Sequence, residues 1–386
     1  MTTSIAYRKR GQAVWLDSIS SRMIETGKLA GWISSGAIYG VTSNPTIFGQ
    51  AIEKNEGDYT ARIDDLTARG KDAFQIYDEL TRRDIADGAA LFANLHRESP
   101  QDGWISLEVL PELAFDVERT VAEARRLHDA LGRPNVFIKV PSTPAGCAAI
   151  RKLIGQGVSV NVTLMFNRKH YQDVAHAYLD GLEDLVNAGG DPRKVHSVAS
   201  FFVSRVDTLV DKLLEEKARS LTGAAHEHAE GLRGKAGIAN CKVVYQDFLE
   251  LFATPRFAAL KAKGAWLQRP LWASTGTKNP AYSDLLYVEN LLGPDTVNTL
   301  PEKTLNALLD HGRDLGDTVL SGVDEARKVL SDLRELGIDV EAVGEKLQGD
   351  GVVAFARSYD DLLKVIEERR KASLLESAKT QKIRTT

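Results

Sequence analysis

Eight short apolar runs recur along this chain, each followed by turn residues and a longer stretch of helical pattern. They cover residues 13–19, 38–42, 104–110, 135–141, 158–166, 195–203, 270–275 and 296–300. Near-continuous apolar character is what a strand buried on both faces requires, as in a parallel sheet covered by helices. The segments between them carry helix punctuation. Thr143 supplies a cap and Pro144 a tolerated first-turn proline, and apolar periodicity then runs to Ile154 before Gly155 stops it. After the eighth run, Pro301 opens residues 302–311 and Gly312 closes them. Strand and helix alternating eight times predict an α/β fold, a closed (β/α)8 TIM barrel with additional helices. An open doubly wound sheet shares the alternation and stands as the other arrangement.

Length alone, 386 residues, suggests two or three domains. The strand count instead reads residues 1–320 as one catalytic barrel domain with helical insertions. Connections 43–103 and 204–269 are too long for one helix and rich in helix formers, which predicts two or more helices in each. Amphipathic patterns predict helices over 321–336 and about 358–371. Residues 321–372 are read as C-terminal helices packed on the barrel and 373–386 as a flexible tail.

With 43% apolar and 26% charged residues, the composition excludes a largely disordered or fibrous chain. A net charge of −4 argues against generic nucleic-acid or anionic-membrane binding but leaves room for a local cationic pocket. Cys147 and Cys241 form no CxxC pair and read as reduced thiols. Residues 1–11 carry Arg8, Lys9 and Arg10 with no apolar stretch behind them, unlike a secretory signal. No window approaches the roughly 18 uninterrupted apolar residues of a membrane span. The expectation is a soluble, cytoplasmic protein without nucleic-acid or membrane partners, its oligomeric state left open.

Polar residues inside the apolar runs are the functional signal, because a barrel strand has no packing use for an ionisable group. They lie towards the C-terminal ends: Asp17, Asn44, Glu108, Lys139, Asn161, Thr163, Ser200 and Ser274. That rim is where barrels of this kind place their active sites. Alternate strand residues face opposite sides, so Ser106 and Glu108 oppose Ile105 and Leu107. Phe137 and Lys139 likewise oppose Ile138 and Val140, and Asn161 and Thr163 oppose Val160 and Val162. Lys139 is the sharpest of the set. Desolvation lowers a lysine pKa, and a neutral amine is what a Schiff-base nucleophile needs. The plainer reading is an ion pair with Glu108 that closes a barrel layer. Glu108 and Asp17 suit acid/base work, while Arg205, Ser274 and Lys278 are candidate phosphate contacts just past late strands. His226-Glu227-His228 lacks a third partner in a metal pattern, and no GxGxxG or GxxxxGK[ST] motif is present.

Five segments taken together resemble transaldolases of the longer prokaryotic type. They surround Asp17, Val41 to Thr46, Val136 to Pro141, Asn161 to Leu164 and Ser200 to Arg205, in that order. The resemblance implies a class I aldolase-type barrel of the pentose phosphate pathway, acting on small sugar phosphates without metal or organic cofactor. It assigns Lys139 the imine, Glu108 proton transfer through a water held with Thr163, and Asp17 the acid/base step at the cleaved bond. Asn44 and Asn161 would hold the dihydroxyacetone unit. Ser200, Arg205 and Ser274 would contact hydroxyls and phosphate, and Phe202 would line the site. Shorter transaldolases carry an arginine soon after the seventh-strand serine. Here Ser274 is followed by Thr275, Gly276, Thr277 and Lys278, which leaves Lys278 to supply that charge. A fructose-6-phosphate aldolase shares the lysine but has glutamine and tyrosine where this chain has Glu108 and Phe202. A non-catalytic sugar-phosphate-binding barrel would lack Lys139, Glu108 or Asp17.

Overall fold

A computed structural model describes the backbone of residues 2–384 and side chains as far as Lys379. Eight parallel strands close into a barrel in sequence order. They are β1 (Gln12–Leu16), β2 (Gly40–Val41), β3 (Trp104–Glu108), β4 (Val136–Pro141), β5 (Val160–Met165), β6 (Ser197–Phe202), β7 (Gln268–Ala273) and β8 (Thr296–Leu300). Each overlaps one apolar run, and β8 pairs back to β1 from Gln12↔Thr296 to Leu16↔Leu300, which excludes the open sheet.

Parity sorts the strand residues into two apolar populations. Ile105, Leu107, Val136, Ile138, Val140, Val160 and Val162 join the shell between barrel and helices. Trp15, Trp104, Phe137, Val198, Leu271 and Val297 belong to the other cluster and fill the interior. Phe137 stacks on Trp104 at 4.0 Å and lies 6.2 Å from Trp15, so aromatic rings plug the lower barrel. Below this plug Arg269 and His196 are buried at the N-terminal end, and above it the C-terminal end holds Glu108, Lys139, Asn161 and Thr163.

The two long connections are helical throughout most of their length. Residues 43–103 hold Pro45–Glu53, Tyr59–Ala68 and Ala73–Glu98; residues 204–269 hold Ser204–Ala218, Ala224–Gly231, Ala236–Phe252 and Pro255–Lys261. At the C-terminus the structure departs from the pattern. After Val323–Glu335 a single helix runs from Val340 to Arg384, where only about 358–371 had suggested one. Residues 373–384, read as a tail, continue it. Leu374-Leu375-Glu376-Ser377-Ala378-Lys379 contains no glycine or proline to stop a helix, and its exposed leucines give no apolar stripe. Thr385 and Thr386 lie outside the described residues. Among the described residues, no helix is long and apolar enough to cross a membrane.

Candidate active site

Register places the chemistry side by side. Glu108 on β3 pairs with Lys139 on β4, which pairs with Asn161 on β5. Lys139 Nζ lies 3.3 Å from Glu108 Oε2 and donates to the Ser43 carbonyl at 3.2 Å, with both side chains buried. Burial raises the Glu108 pKa above the usual carboxylate range, against the lowering pull of Lys139. The ion pair given above as the plainer reading is therefore present, and it holds the Lys139 amine beside a carboxyl.

Asn161 is fully buried and fixed at both ends of its amide. Its Nδ2 donates to Ser106 Oγ at 3.0 Å, and Ser200 Oγ donates to its Oδ1 at 2.7 Å. Thr163 is also fully buried, and its hydroxyl has no partner among the described residues. Such a group is costly unless a substrate oxygen or a water meets it. β5 shifts register between Val162 and Met165, and Leu164 there has a φ of 60°, a strained setting for a branched side chain.

Asp17 follows β1 and accepts from Thr42 Oγ at 2.6 Å; Thr42 in turn lies 2.7 Å from Thr299 Oγ. Burial raises the Asp17 pKa, while Lys139, the Thr42 hydrogen bond, Lys278 and Arg205 all lower it. Asn44 caps the helix Pro45–Glu53, its Oδ1 accepting from Ile47 N at 3.0 Å. Its amide NH2 has no partner among the described residues.

A cavity of about 410 Å³ opens over these groups. Asp17, Asn44, Lys139, Thr163, Ser200, Phe202, Arg205, Ser274 and Lys278 all line it. Glu108 and Asn161 stand behind that wall, bonded to Lys139 and Ser200. Arg205 begins the helix after β6, with its guanidinium 5.4 Å from the Phe202 ring centre. Neither Arg205 nor Lys278 has a carboxylate within 4.0 Å among the described residues, so their charges remain available to an anion. Burial also lowers the Arg205 pKa, countered by Asp17. Lys278 is exposed and also borders the neighbouring cleft of Asp207 and Tyr282. Ser274, at φ 54°, meets Ser204 Oγ at 2.9 Å.

Phe355 and Thr46 also line the cavity, and the strand pattern did not single out either. Phe355 comes from the C-terminal helix, upstream of the part that its periodicity had suggested. Its only sequence signal was an aromatic residue on an apolar helical face, which is indistinguishable from core. His226 Nδ1 meets the Ala218 carbonyl at 3.1 Å and His228 pairs with Asp332, and neither lines this cavity.

Comparison with known proteins agrees with this geometry. The family model described as Transaldolase/Fructose-6-phosphate aldolase matches residues 14–366. A protein named Transaldolase from Saccharopolyspora erythraea is 47% identical over 359 residues, covering 93% of this chain and 95% of its own. Others of that name come from Mycolicibacterium smegmatis, 44% identical over 92% of this chain and 93% of its own, and Trichodesmium erythraeum, 41% over 94% and 96%.

Proposed function

The chain belongs to the transaldolase/fructose-6-phosphate aldolase family, and we propose that it works as a transaldolase through a Schiff base on Lys139. The observation that carries this reading is the buried Lys139–Glu108 pair, set beside Asp17 in a cavity also lined by Arg205 and Lys278. An amine, two separately placed carboxyls and a phosphate-binding rim are the groups that imine-mediated carbon–carbon cleavage of a sugar phosphate needs.

The donor is fructose 6-phosphate or sedoheptulose 7-phosphate, its phosphate towards Arg205, Ser274 and Lys278. Lys139 attacks the C2 carbonyl. The carbinolamine loses water with a proton from Glu108, relayed by a water on Thr163. Asn44, Asn161 and Ser200 hold the hydroxyls of the three-carbon unit. Asp17 takes the C4 hydroxyl proton, the C3–C4 bond breaks and the aldose phosphate leaves. The bonding pair moves into the iminium and gives an enamine. An acceptor, glyceraldehyde 3-phosphate or erythrose 4-phosphate, then adds at C3 and the steps reverse. Such chemistry belongs to the pentose phosphate pathway of the cytoplasm. Glu108 and Phe202, rather than glutamine and tyrosine, favour transfer over release of free dihydroxyacetone.

The test is a coupled assay with fructose 6-phosphate and erythrose 4-phosphate. Wild type forms sedoheptulose 7-phosphate, and Lys139→Ala loses about a thousandfold or more in kcat. Transfer surviving in Lys139→Ala would overturn the reading.

A further inference from the structure

One face of the C-terminal helix meets the strand ends around Lys139. Gln348, Gly351, Phe355 and Ser358 follow helical spacing and share that face. Gln348 Nε2 shares its hydrogens among the Ser142 carbonyl at 3.2 Å, Ser142 Oγ at 2.9 Å and the Leu164 carbonyl at 3.2 Å. Ser142 and Leu164 directly follow Pro141 and Thr163, so this amide ties the helix to the strands that carry Lys139 and Thr163. Gly351 permits the approach: a Cβ there would stand 3.0 Å from Leu164 Cδ2. Ser358 Oγ accepts from Thr46 Oγ at 3.0 Å. Between these points lies Phe355, buried, with its ring centre 5.8 Å from Lys139 Nζ.

We propose that Phe355 is a specificity-determining residue whose ring roofs the three-carbon intermediate and steers it to an aldose instead of to water. The inference rests on the transaldolase reading. Release of product from the imine needs water at C2 in either outcome, so access of water there does not separate them. Protonation of the enamine carbon, C3, does. In the discharging route the enamine pair takes a proton from water at C3, giving an iminium and hydroxide. The hydroxide adds to C2, its proton passes to nitrogen, and the C2–N bond breaks with the pair returning to Lys139. One water is consumed and dihydroxyacetone leaves. C3 is one atom beyond the C2 bonded to Nζ, and a phenyl ring near that nitrogen offers no hydrogen bond to hold a proton-donating water. Both routes pass through an iminium, so attraction of the ring face for that cation does not separate them. Gln348 is the positioning residue for that ring.

The experiment compares dihydroxyacetone release from fructose 6-phosphate alone with transfer to erythrose 4-phosphate. Phe355→Ala is expected to raise the release-to-transfer ratio roughly tenfold. Phe355→Leu keeps the face apolar and the helix packed, and raises the ratio about threefold as the roof becomes smaller. Gln348→Leu raises it as well, with the melting temperature recorded to separate positioning from stability. An unchanged ratio in both Phe355 variants overturns the proposal, even if both rates fall together. Donor-dependent borohydride trapping on Lys139 of wild type is run in parallel. Its failure would remove the transaldolase reading itself, and its success with an unchanged ratio would remove only the role of Phe355.

Discussion

Asp17 and Glu108 are carboxyls for which burial outweighs the attraction of nearby cations, and this sets how the site responds to acid. A carboxyl held above its ordinary pKa is protonated at a pH where an exposed one is still charged. With Asp17 as the proposed base at the C4 hydroxyl, its protonation should remove activity as pH falls through the raised pKa. The acid limb of kcat/KM is therefore expected above the ordinary carboxylate range of about 4. Thr42 donates to Asp17 and lowers its pKa, so Thr42→Val should move that limb to higher pH. A pH–rate profile reads both; an unmoved limb would show that the Thr42 bond does not tune the base. Lys278 lies on the rim as a lone, exposed charge, and Lys278→Ala should raise the KM for phosphorylated donors roughly fivefold. An unchanged KM would assign the phosphate to Arg205 and neighbouring backbone groups. Lys139, Glu108 and Asn161 could be read from sequence because each interrupts an apolar strand on one parity. Phe355 and Gln348 could not, since a buried helical phenylalanine or glutamine looks the same whether it packs a core or roofs a site.

Strand ends are where this chain trades packing tolerance for position. Gly146 sits in the first turn of the helix after β4, where its N–H donates to the Thr143 cap at 3.0 Å. An added Cβ would stand 1.8 Å from the Pro141 carbonyl oxygen, a backbone atom at the end of the lysine strand. Gly146→Ala should cost about 2–3 kcal/mol or more, visible as a fall in the chemical-denaturation midpoint. A midpoint equal to wild type would mean that this strand end can shift freely. The strand order was predictable from apolar runs and cap residues, because parallel strands and their helices leave periodic patterns. The register shift in β5 left no such trace: Leu164 looks like a strand residue, and the donors to its carbonyl, Ser142 and Gln348, come from distant sequence.

In the molecule as a whole, the C-terminal helix joins the mouth of the cavity to the outer helices. Tyr77 and Tyr359 meet at 5.1 Å, and Arg369 pairs with Asp64. After Ser373, Leu374 and Leu375 are exposed, and Glu376 lies 3.8 Å from Arg369. Truncation after Ser373 should leave transfer intact and shift the melting temperature by no more than about 3 °C. A larger fall would show that the last residues contribute to the fold. The role of this helix was not readable in advance because its path over the barrel depends on closure of the whole chain. The most direct measurement is borohydride reduction of the full-length protein with fructose 6-phosphate, followed by peptide mapping. The structure predicts one donor-dependent reduced adduct, on the peptide containing Lys139. No adduct, or an adduct on a peptide lacking Lys139, would contradict it.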